Sequence, residues 1–227
     1  MSGSPSDLVS FGYRYFYQRS TRTIIVIDAG SERYIELADY MDEVDGRLQF
    51  IDSALAVEMF AEELEAVTIP AIADLQPRWA AVQLALPLIE MIGKIRYAMH
   101  YDNQNFKRAA QLLFPKSSID ASLSNQEYAA VVAALWAGLR CGVAHTGFMQ
   151  EESEESIDLQ INGEDSAPAI VFSGDAEDRV VEVGGQKFVE AIISGLRAVI
   201  KDLRNDDAMR ANKFLPLWRK RWGSHAP

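Results

Sequence analysis

The chain has 227 residues, of which 48% are hydrophobic and 24% charged, and its formal net charge at pH 7 is -11. This length and composition predict a globular protein with a substantial core. The negative charge opposes a broad nucleic-acid-binding surface, because such binding depends on lysine and arginine neutralising phosphates, but it is compatible with a small basic site.

The sequence gives no indication of membrane insertion or secretion. No stretch of about eighteen uninterrupted apolar residues predicts a membrane-spanning helix, and the first residues lack the pattern of a secretory leader. The single cysteine, Cys141, cannot form an intramolecular disulfide and fits a reducing compartment. We therefore expect a cytoplasmic protein that does not bind membranes.

Residues 1–77 form a segment that matches no motif we recognise. Residues 1–7 are typical of a flexible leader, and the β-branched run Thr23–Ile27 predicts a strand followed by a turn. Helices are predicted near residues 31–43 and 48–67, the second from apolar residues at helical spacing. The sequence therefore predicts an N-terminal α/β segment of unknown role.

Residues 78–205 are predicted to form a helical domain. Apolar residues at helical spacing predict a helix that runs from about Pro77 to about Met99, with Pro87 either kinking it or marking its true start. A shorter helix from Asn105 to Phe114 follows. A further apolar stripe predicts a helix from Phe188 to Asn205. The period of the apolar residues thus predicts most of this domain.

A capping box predicts the start of the central helix of this domain. Ser124 is followed three residues later by Glu127, a pattern in which each side chain accepts a hydrogen bond from the other residue's backbone amide. The apolar run Tyr128–Leu139 follows directly and predicts a buried helix. This helix leads to Arg140.

The remaining segments predict a small sheet and a polar tail. Alternating or apolar runs within residues 156–183 predict three short strands, which we interpret as an antiparallel β-meander inserted between helices. Residues 206–227 form a basic-aromatic tail, in which the aromatic side chains are expected to pack against the body of the protein. The predicted fold is therefore mainly α, a helical bundle with a small β insertion.

Arg140 and His145 are the residues best suited to chemistry. A guanidinium matches phosphate oxygens, and an imidazole exchanges a proton near neutral pH. Positions five apart on an unbroken helix differ by about 140° around its axis, so the two side chains do not share a face. We expect either a helix break at Gly142 or a two-fold partner that contributes its own pair.

The segment Leu135-Trp-Ala-Gly-Leu-Arg-Cys-Gly-Val-Ala-His-Thr-Gly147 resembles the Arg-x4-6-His motif of the HEPN superfamily, and the resemblance extends over about residues 79–205. It implies a HEPN-like helical bundle that is a homodimer and a metal-independent endoribonuclease with no cofactor. In such a site Arg140 binds the scissile RNA phosphate and His145 acts as general base or acid. The ribose 2′-hydroxyl attacks and leaves a cyclic phosphate and a free 5′-hydroxyl.

The resemblance also assigns supporting residues. Glu90 corresponds to the acidic residue that the leading helix of the family often carries, and Cys141 and Thr146 complete the set. Active members usually have Asn, His or Asp directly after the arginine, whereas a thiol is a weak hydrogen-bonding group. No group of cysteine, histidine and carboxylate side chains has metal-ligand spacing, so no metal site is expected.

Three alternatives remain open. In the first alternative, the chain is a non-catalytic HEPN-like module that binds a nucleotide or a protein partner and serves as a scaffold or a regulatory partner. In a purely structural alternative, Arg140 bonds helix carbonyls or Glu90 while His145 completes a polar core network. In the third, Cys141 is a thiol nucleophile and His145, four residues on, is its base.

Overall fold

The computed structural model describes residues 8–10, 15–18, 20–21, 23–28, 31–36, 41–44, 47–50, 53–76, 78–141, 157–174 and 178–222. Over these residues the protein is mainly helical with small sheets, as the periodicity predicts. The chain divides into two compact units. The terminal unit combines residues 1–70 with residues 200–227, and the central unit comprises residues 71–199.

The strands are β1 (Leu8–Ser10), β2 (Tyr15–Gln18), β3 (Thr23–Asp28), β4 (Ser31–Glu36), β5 (Met41–Val44), β6 (Arg47–Phe50), β7 (Ile157–Asn162), β8 (Ile170–Ser173) and β9 (Arg179–Gly184). The α-helices are α1 (Ser53–Glu63), α2 (Ile69–Ala73), α3 (Arg78–Tyr97), α4 (Asp102–Leu113), α5 (Lys116–Ile119), α6 (Asn125–Ala134), α7 (Gly185–Asn205), α8 (Asp207–Met209) and α9 (Leu215–Trp222). Three π-helical segments, Leu64–Thr68, Leu135–Cys141 and Arg210–Phe214, directly follow α1, α6 and α8.

The N-terminal part of the terminal unit is β structure. Strands β1 to β4 form an antiparallel sheet in sequence order, and β5 pairs with β6 in a separate hairpin. The predicted strand within Thr23–Ile27 is confirmed as β3, the run of β-branched residues, and Ile25 and Val26 on it are buried. Its two neighbours, β2 and β4, complete its backbone hydrogen bonds.

The predicted helix over residues 31–43 is wrong, because β4 and β5 occupy most of that range. Asp28 pairs with Ser31, and Val44 pairs with Arg47, so only Ala29-Gly30 and Asp45-Gly46 separate the paired strands. Two-residue turns that contain glycine favour tight hairpins. The predicted helix over residues 48–67 begins later, at Ser53, because Arg47–Phe50 pair as β6.

An aromatic cluster forms part of the core of the terminal unit. Phe60 of α1 lies 5.2 Å from Phe214 and 6.1 Å from Trp218 between ring centroids, and Phe214 lies 5.7 Å from Trp218. All three side chains are buried. The segment predicted as a basic-aromatic tail is therefore helical over residues 207–222, with Trp218 packed inside as expected for its aromatic residues.

Helices α3 and α4 form the closest helix pair of the central unit. Both were predicted, and Pro87 lies inside α3 without ending it. Gly93 permits the approach of the two backbones, because a Cβ atom built there would lie 2.0 Å from the carbonyl oxygen of Asn105. Any side chain at this position would collide with the backbone of α4, so the position requires glycine.

Helix α6 and the π-helical segment after it run antiparallel to α4. The capping box is confirmed: the Ser124 amide donates to Glu127 Oε2 at 2.7 Å, and the Glu127 amide donates to Ser124 Oγ at 3.1 Å. The Tyr128 hydroxyl donates to the carbonyl of Phe114 at 2.9 Å, just past the C-terminal end of α4. Further along, the Trp136 ring lies 5.2 Å from that of Phe106, nearer the start of α4.

The predicted antiparallel meander is wrong in its pairing, although its three strands lie where the sequence predicts them. The strand order is β7-β9-β8, with β9 antiparallel to β8 but parallel to β7. Strand β9 is central because Val181 and Val183 are both fully buried. A parallel pair needs a crossover of about a dozen residues or more, and residues 163–178, which include β8, provide it.

Helix α7 follows β9 directly. Its predicted apolar stripe is confirmed as buried: Phe188, Ile192, Leu196, Val199 and Leu203. In the central unit, the Phe188 ring stacks on Phe114 at 4.7 Å with the two planes nearly parallel. The sequence therefore predicts this helix correctly to its last residue, Asn205.

Candidate functional site

The motif arginine lies at the end of the helix that the capping box begins. The backbone of Arg140 and Cys141 belongs to the π-helical segment Leu135–Cys141, and their side chains are not described. His145 and Thr146 lie outside the described residues. The convergence of Arg140 with His145 therefore stays a prediction, as does the break at Gly142.

The level of Arg140 along the bundle follows from two contacts already given. Tyr128 is beside Phe114 and Trp136 is beside Phe106, so eight positions forward on one chain segment match eight positions back on the other. Arg140 lies four positions beyond Trp136, so the antiparallel run carries its backbone from Phe106 towards the start of α4. Both α3 and α4 pack against the π-helical segment that carries Arg140.

Glu90, the predicted supporting carboxylate, lies on α3 and is buried, with a relative exposure of 7%. Its Oε1 atom is 2.6 Å from Lys94 Nζ, one turn along the same helix. The same ammonium lies 3.0 Å from Asp102 Oδ1. Lys94 thus joins a buried carboxylate on α3 to an exposed one at the start of α4.

The Lys94 ammonium of this cluster pairs with two carboxylates. Burial lowers the pKa of Lys94, but hydrogen bonds and attraction from Glu90 and Asp102 outweigh burial and raise it overall. The lysine therefore stays protonated at neutral pH. A carboxylate fixed in this way can orient a guanidinium or an imidazole placed next to it.

We call the end of the central unit that contains Glu90, Lys94, Asp102 and the Arg140 backbone the motif end. Sequence reasoning named Glu90 and Arg140 but missed Lys94 and Asp102. The spacing of four residues between Glu90 and Lys94 is a signal that would have found the lysine. Asp102 has no such local signal, because its contact depends on how α3 turns into α4.

The loop between α3 and α4 lies at the same end. Tyr97, Met99, His100 and Tyr101 are all exposed, and the His100 and Tyr101 rings meet edge to face at 4.7 Å. Ala98 has φ of +50°, in the left-handed region that costs a non-glycine residue about 1 kcal/mol or more. The loop is therefore held in a strained shape.

The Asn105 side chain fixes the backbone of this loop by hydrogen bonds. Its side chain is 1% exposed. Its Oδ1 atom accepts a hydrogen bond from the Met99 amide at 2.9 Å, and its Nδ2 donates to the carbonyls of Met99 at 2.9 Å and Tyr101 at 3.3 Å. Three hydrogen bonds from one buried amide fix the backbone that bears the exposed rings.

Within the described ranges, no three side chains of the histidine, cysteine or carboxylate type are grouped so that they could hold a metal ion. Of the helices so described, none is long and apolar enough to cross a bilayer. At the motif end, Lys94 joins Glu90 and Asp102 into one ion-pair cluster, and Asn105 bonds the backbone of the adjoining loop.

No protein-family model, curated protein or solved structure matches the chain. The resemblance to the HEPN superfamily accordingly rests on the motif from Leu135 to Gly147 and on the acidic residue matched to Glu90.

Proposed function

We propose that this chain is a HEPN-like, metal-independent endoribonuclease that acts on RNA as a homodimer through Arg140 and His145. Two residues predicted from the sequence, the carboxylate Glu90 and the motif residue Arg140, belong to the motif end, and this observation carries the proposal. The segment that bears the motif arginine packs against α3 and α4, and Lys94 links these two helices by joining Asp102 to the buried Glu90. A buried carboxylate is costly, so its retention on a helix that packs against this segment supports a polar site.

The proposed reaction is an internal transfer followed by loss of the downstream strand. His145 removes the proton from a ribose 2′-hydroxyl, whose oxygen attacks the adjacent phosphorus. The bond from phosphorus to the 5′-oxygen breaks, and that oxygen takes up a proton as it leaves. The products are a 2′,3′-cyclic phosphate and a free 5′-hydroxyl.

Each residue has a separate role in this proposal. Arg140 binds the phosphate oxygens and stabilises the charge that develops on them in the transition state. Glu90, itself fixed by Lys94, orients the cationic group next to it. Neither Cys141 nor Thr146 takes part in proton transfer.

Cleavage of single-stranded RNA in the presence of a chelator tests the reaction. We expect Arg140→Ala and His145→Ala each to lower the rate by about 100-fold or more, because each removes a group that acts on the transition state. Arg204→Ala, which removes an exposed arginine of the terminal unit, is the matched control and should cleave like the parent. Mass spectrometry of the products should find the cyclic phosphate.

Two results would contradict the proposal. Equal cleavage by the parent and both variants would indicate a contaminating nuclease, and loss of cleavage with the chelator would indicate a metal-dependent reaction. Stabilisation of the protein by RNA or a nucleotide in a thermal-shift assay, without any cleavage, would favour the non-catalytic binding module.

Mixing the two inactive variants tests the homodimer. If Arg140 of one subunit works with His145 of the other, a mixed dimer of Arg140→Ala and His145→Ala contains one intact site and regains part of the activity. If both residues of a site come from one subunit, the mixture stays inactive. Sedimentation of the parent protein measures the dimer itself.

A further inference from the structure

We propose that the side chains of Tyr97, Met99, His100 and Tyr101 form a stacking platform for single-stranded RNA at the motif end. We call these four residues the loop platform. The inference rests on the proposed function, since it names how the substrate of that site is held. It assigns a binding role to residues that lie outside the Arg140 to His145 motif.

Exposure is the first argument. Tyr101 is 61% exposed, Tyr97 37% and Met99 39%, and all belong to one five-residue stretch together with exposed His100. Scattered apolar side chains on a surface are ordinary, but a contiguous group indicates a binding surface. Rings that present a face to solvent can stack on bases of any sequence.

Preorganisation is the second argument. The platform backbone is fixed by three hydrogen bonds from buried Asn105 and contains the strained residue Ala98. An exposed loop without a function would become more stable if its backbone relaxed such strain. Local strain that the surrounding structure maintains is concentrated at ligand-binding and catalytic sites.

Charge is the third argument and selects the ligand. Residues 94–108 contain four basic side chains, Lys94, Arg96, Lys107 and Arg108, against the single acidic Asp102, in a chain whose net charge is -11. Lys94 is paired with both Glu90 and Asp102, so it adds no net positive charge to this surface. Arg96, Lys107 and Arg108 leave the hairpin positive within an acidic protein, and this complements a phosphate backbone.

Position is the fourth argument. The loop directly precedes α4, and the segment that bears Arg140 packs against α4 and runs towards its start. A strand whose bases stack on the platform therefore passes its phosphates along the motif end. Only unpaired bases can stack in this way, so the expected substrate is single-stranded RNA or a loop rather than a duplex.

Binding of a 2′-O-methyl oligouridine of about 12 nucleotides, a length that matches known single-strand sites, tests the platform without cleavage. The probe lacks the attacking hydroxyl, and its fluorescence anisotropy is measured with the full chain. We expect Tyr101→Ala to weaken binding about 5- to 100-fold, as the loss of one stacked base does. Tyr101→Phe keeps the ring and should bind like the parent.

Trp79→Ala is the matched control. Trp79 is an aromatic residue of the same helix α3, 51% exposed, but it lies in the first turn of the helix, nearly its full length away from the platform. This variant should bind the probe like the parent.

Lys107→Gln should make the dependence of the binding constant on salt shallower by about 0.7 in logarithmic slope, the value for one lost phosphate contact on a single strand.

Several results would overturn the platform. If Tyr101→Ala binds the probe as tightly as the parent, or loses no more affinity than Trp79→Ala does, stacking at Tyr101 is contradicted. Equal affinity for a duplex of the same length also contradicts it. So does a change in the sedimentation of Tyr101→Ala with unaltered RNA affinity, which would make the loop a contact between protein subunits.

The two proposals fail in distinguishable ways. If the probe binds in a Tyr101-dependent manner but unmodified RNA is never cleaved, the platform stands and the nuclease is wrong. If RNA is cleaved in an Arg140-dependent manner and Tyr101→Ala leaves KM unchanged, the nuclease stands and the platform is wrong.

Discussion

The two units differ in where they keep their polar groups. In the terminal unit, the ion pair that joins α1 to the end of α7, Glu58 with Arg204, is about half exposed, and an aromatic cluster supplies buried contacts. In the central unit, Glu90 and Asn105 are buried, and they are the buried polar or charged residues among the side chains that the structure describes.

This difference supports our placing the proposed catalytic site in the central unit. A buried carboxylate or amide costs free energy unless every polar atom is bonded, so apolar packing is the simpler way to stabilise a fold. Among its described side chains the terminal unit has no fully buried charged residue, although it buries single polar atoms of Glu63, Arg210 and Trp218. The central unit keeps polar groups, and a strained loop, at the end where Arg140 stands.

The largest effect is expected from Gly93→Ala in the central unit. The added Cβ would meet the backbone of Asn105 at 2.0 Å, and backbone cannot move aside as a flexible side chain does. We expect the free energy of unfolding to fall by about 3 kcal/mol or more, since this exceeds ordinary overpacking. Urea unfolding measures it.

Gly163→Ala is the control for this change. Nothing lies within 4 Å of a Cβ atom built at Gly163, so that substitution should alter stability by less than about 0.5 kcal/mol. Similar costs for the two glycine variants would mean that α3 and α4 are not packed as closely as described.

An intermediate effect compares the two ion pairs directly. Lys94→Met leaves the buried Glu90 without its ammonium partner, and we expect a loss of about 1–3 kcal/mol, less than for a fully buried pair because Lys94 is one-third exposed. Arg204→Met breaks an exposed pair and should cost about 0–1 kcal/mol.

Two further measurements sharpen the comparison of the pairs. Adding Glu90→Gln to Lys94→Met removes the uncompensated charge and should restore part of the stability. The raised pKa of Lys94 means that its contribution is complete below the ordinary lysine value of 10.5 and is lost only as pH rises through its higher folded value. An equal cost for both methionine variants would erase the proposed difference between the units.

The smallest effect concerns the capping box that begins the helix leading to Arg140. Hydrogen bonds from Ser124 lower the pKa of Glu127 below its ordinary value of 4.5. The contribution of this carboxylate is therefore present above pH 4.5 and is lost as pH falls through its lower folded value. Glu127→Gln should thus destabilise the protein at neutral pH and matter less in acid.

Urea unfolding at pH 7 and at about pH 3 checks the sign of this dependence. Ser124→Ala, which removes the hydroxyl cap, is the companion variant and should cost about 1 kcal/mol at neutral pH. A cost of Glu127→Gln that grows as the pH falls would contradict the capping role of the carboxylate.

Much of the central unit could be predicted because its signals are local. The capping box at Ser124 and the apolar stripe of α7 each lie within one element, and both predictions are confirmed. The parallel pairing of β7 with β9 could not be predicted, because it depends on which strand lies in the middle of the sheet and is paired along both edges. Asp102 was missed for the same reason, since its partner lies on another helix.

The terminal unit was harder to predict. Residues 31–43 have local composition compatible with a helix, but residues 31–36 pair with β3 and residues 41–43 pair with β6 instead. The sequences Ala29-Gly30 and Asp45-Gly46 are the turn signals available, and only the first entered the prediction. Nothing local indicates that residues 200–227 complete the unit that residues 1–70 begin.

Joining distant parts of the chain has a consequence for biosynthesis. Glu58 and Arg204 are 146 positions apart, and Phe60 packs against Trp218, which lies still further along the chain. At 5–20 residues per second, roughly 8–30 seconds pass between the synthesis of Phe60 and that of Trp218. Throughout this interval α1 lacks the partners that bury Phe60, whereas the last residue of the central unit, residue 199, is made about 1–4 seconds before Trp218. The chain of the proposed catalytic unit is therefore complete before the terminal unit can close.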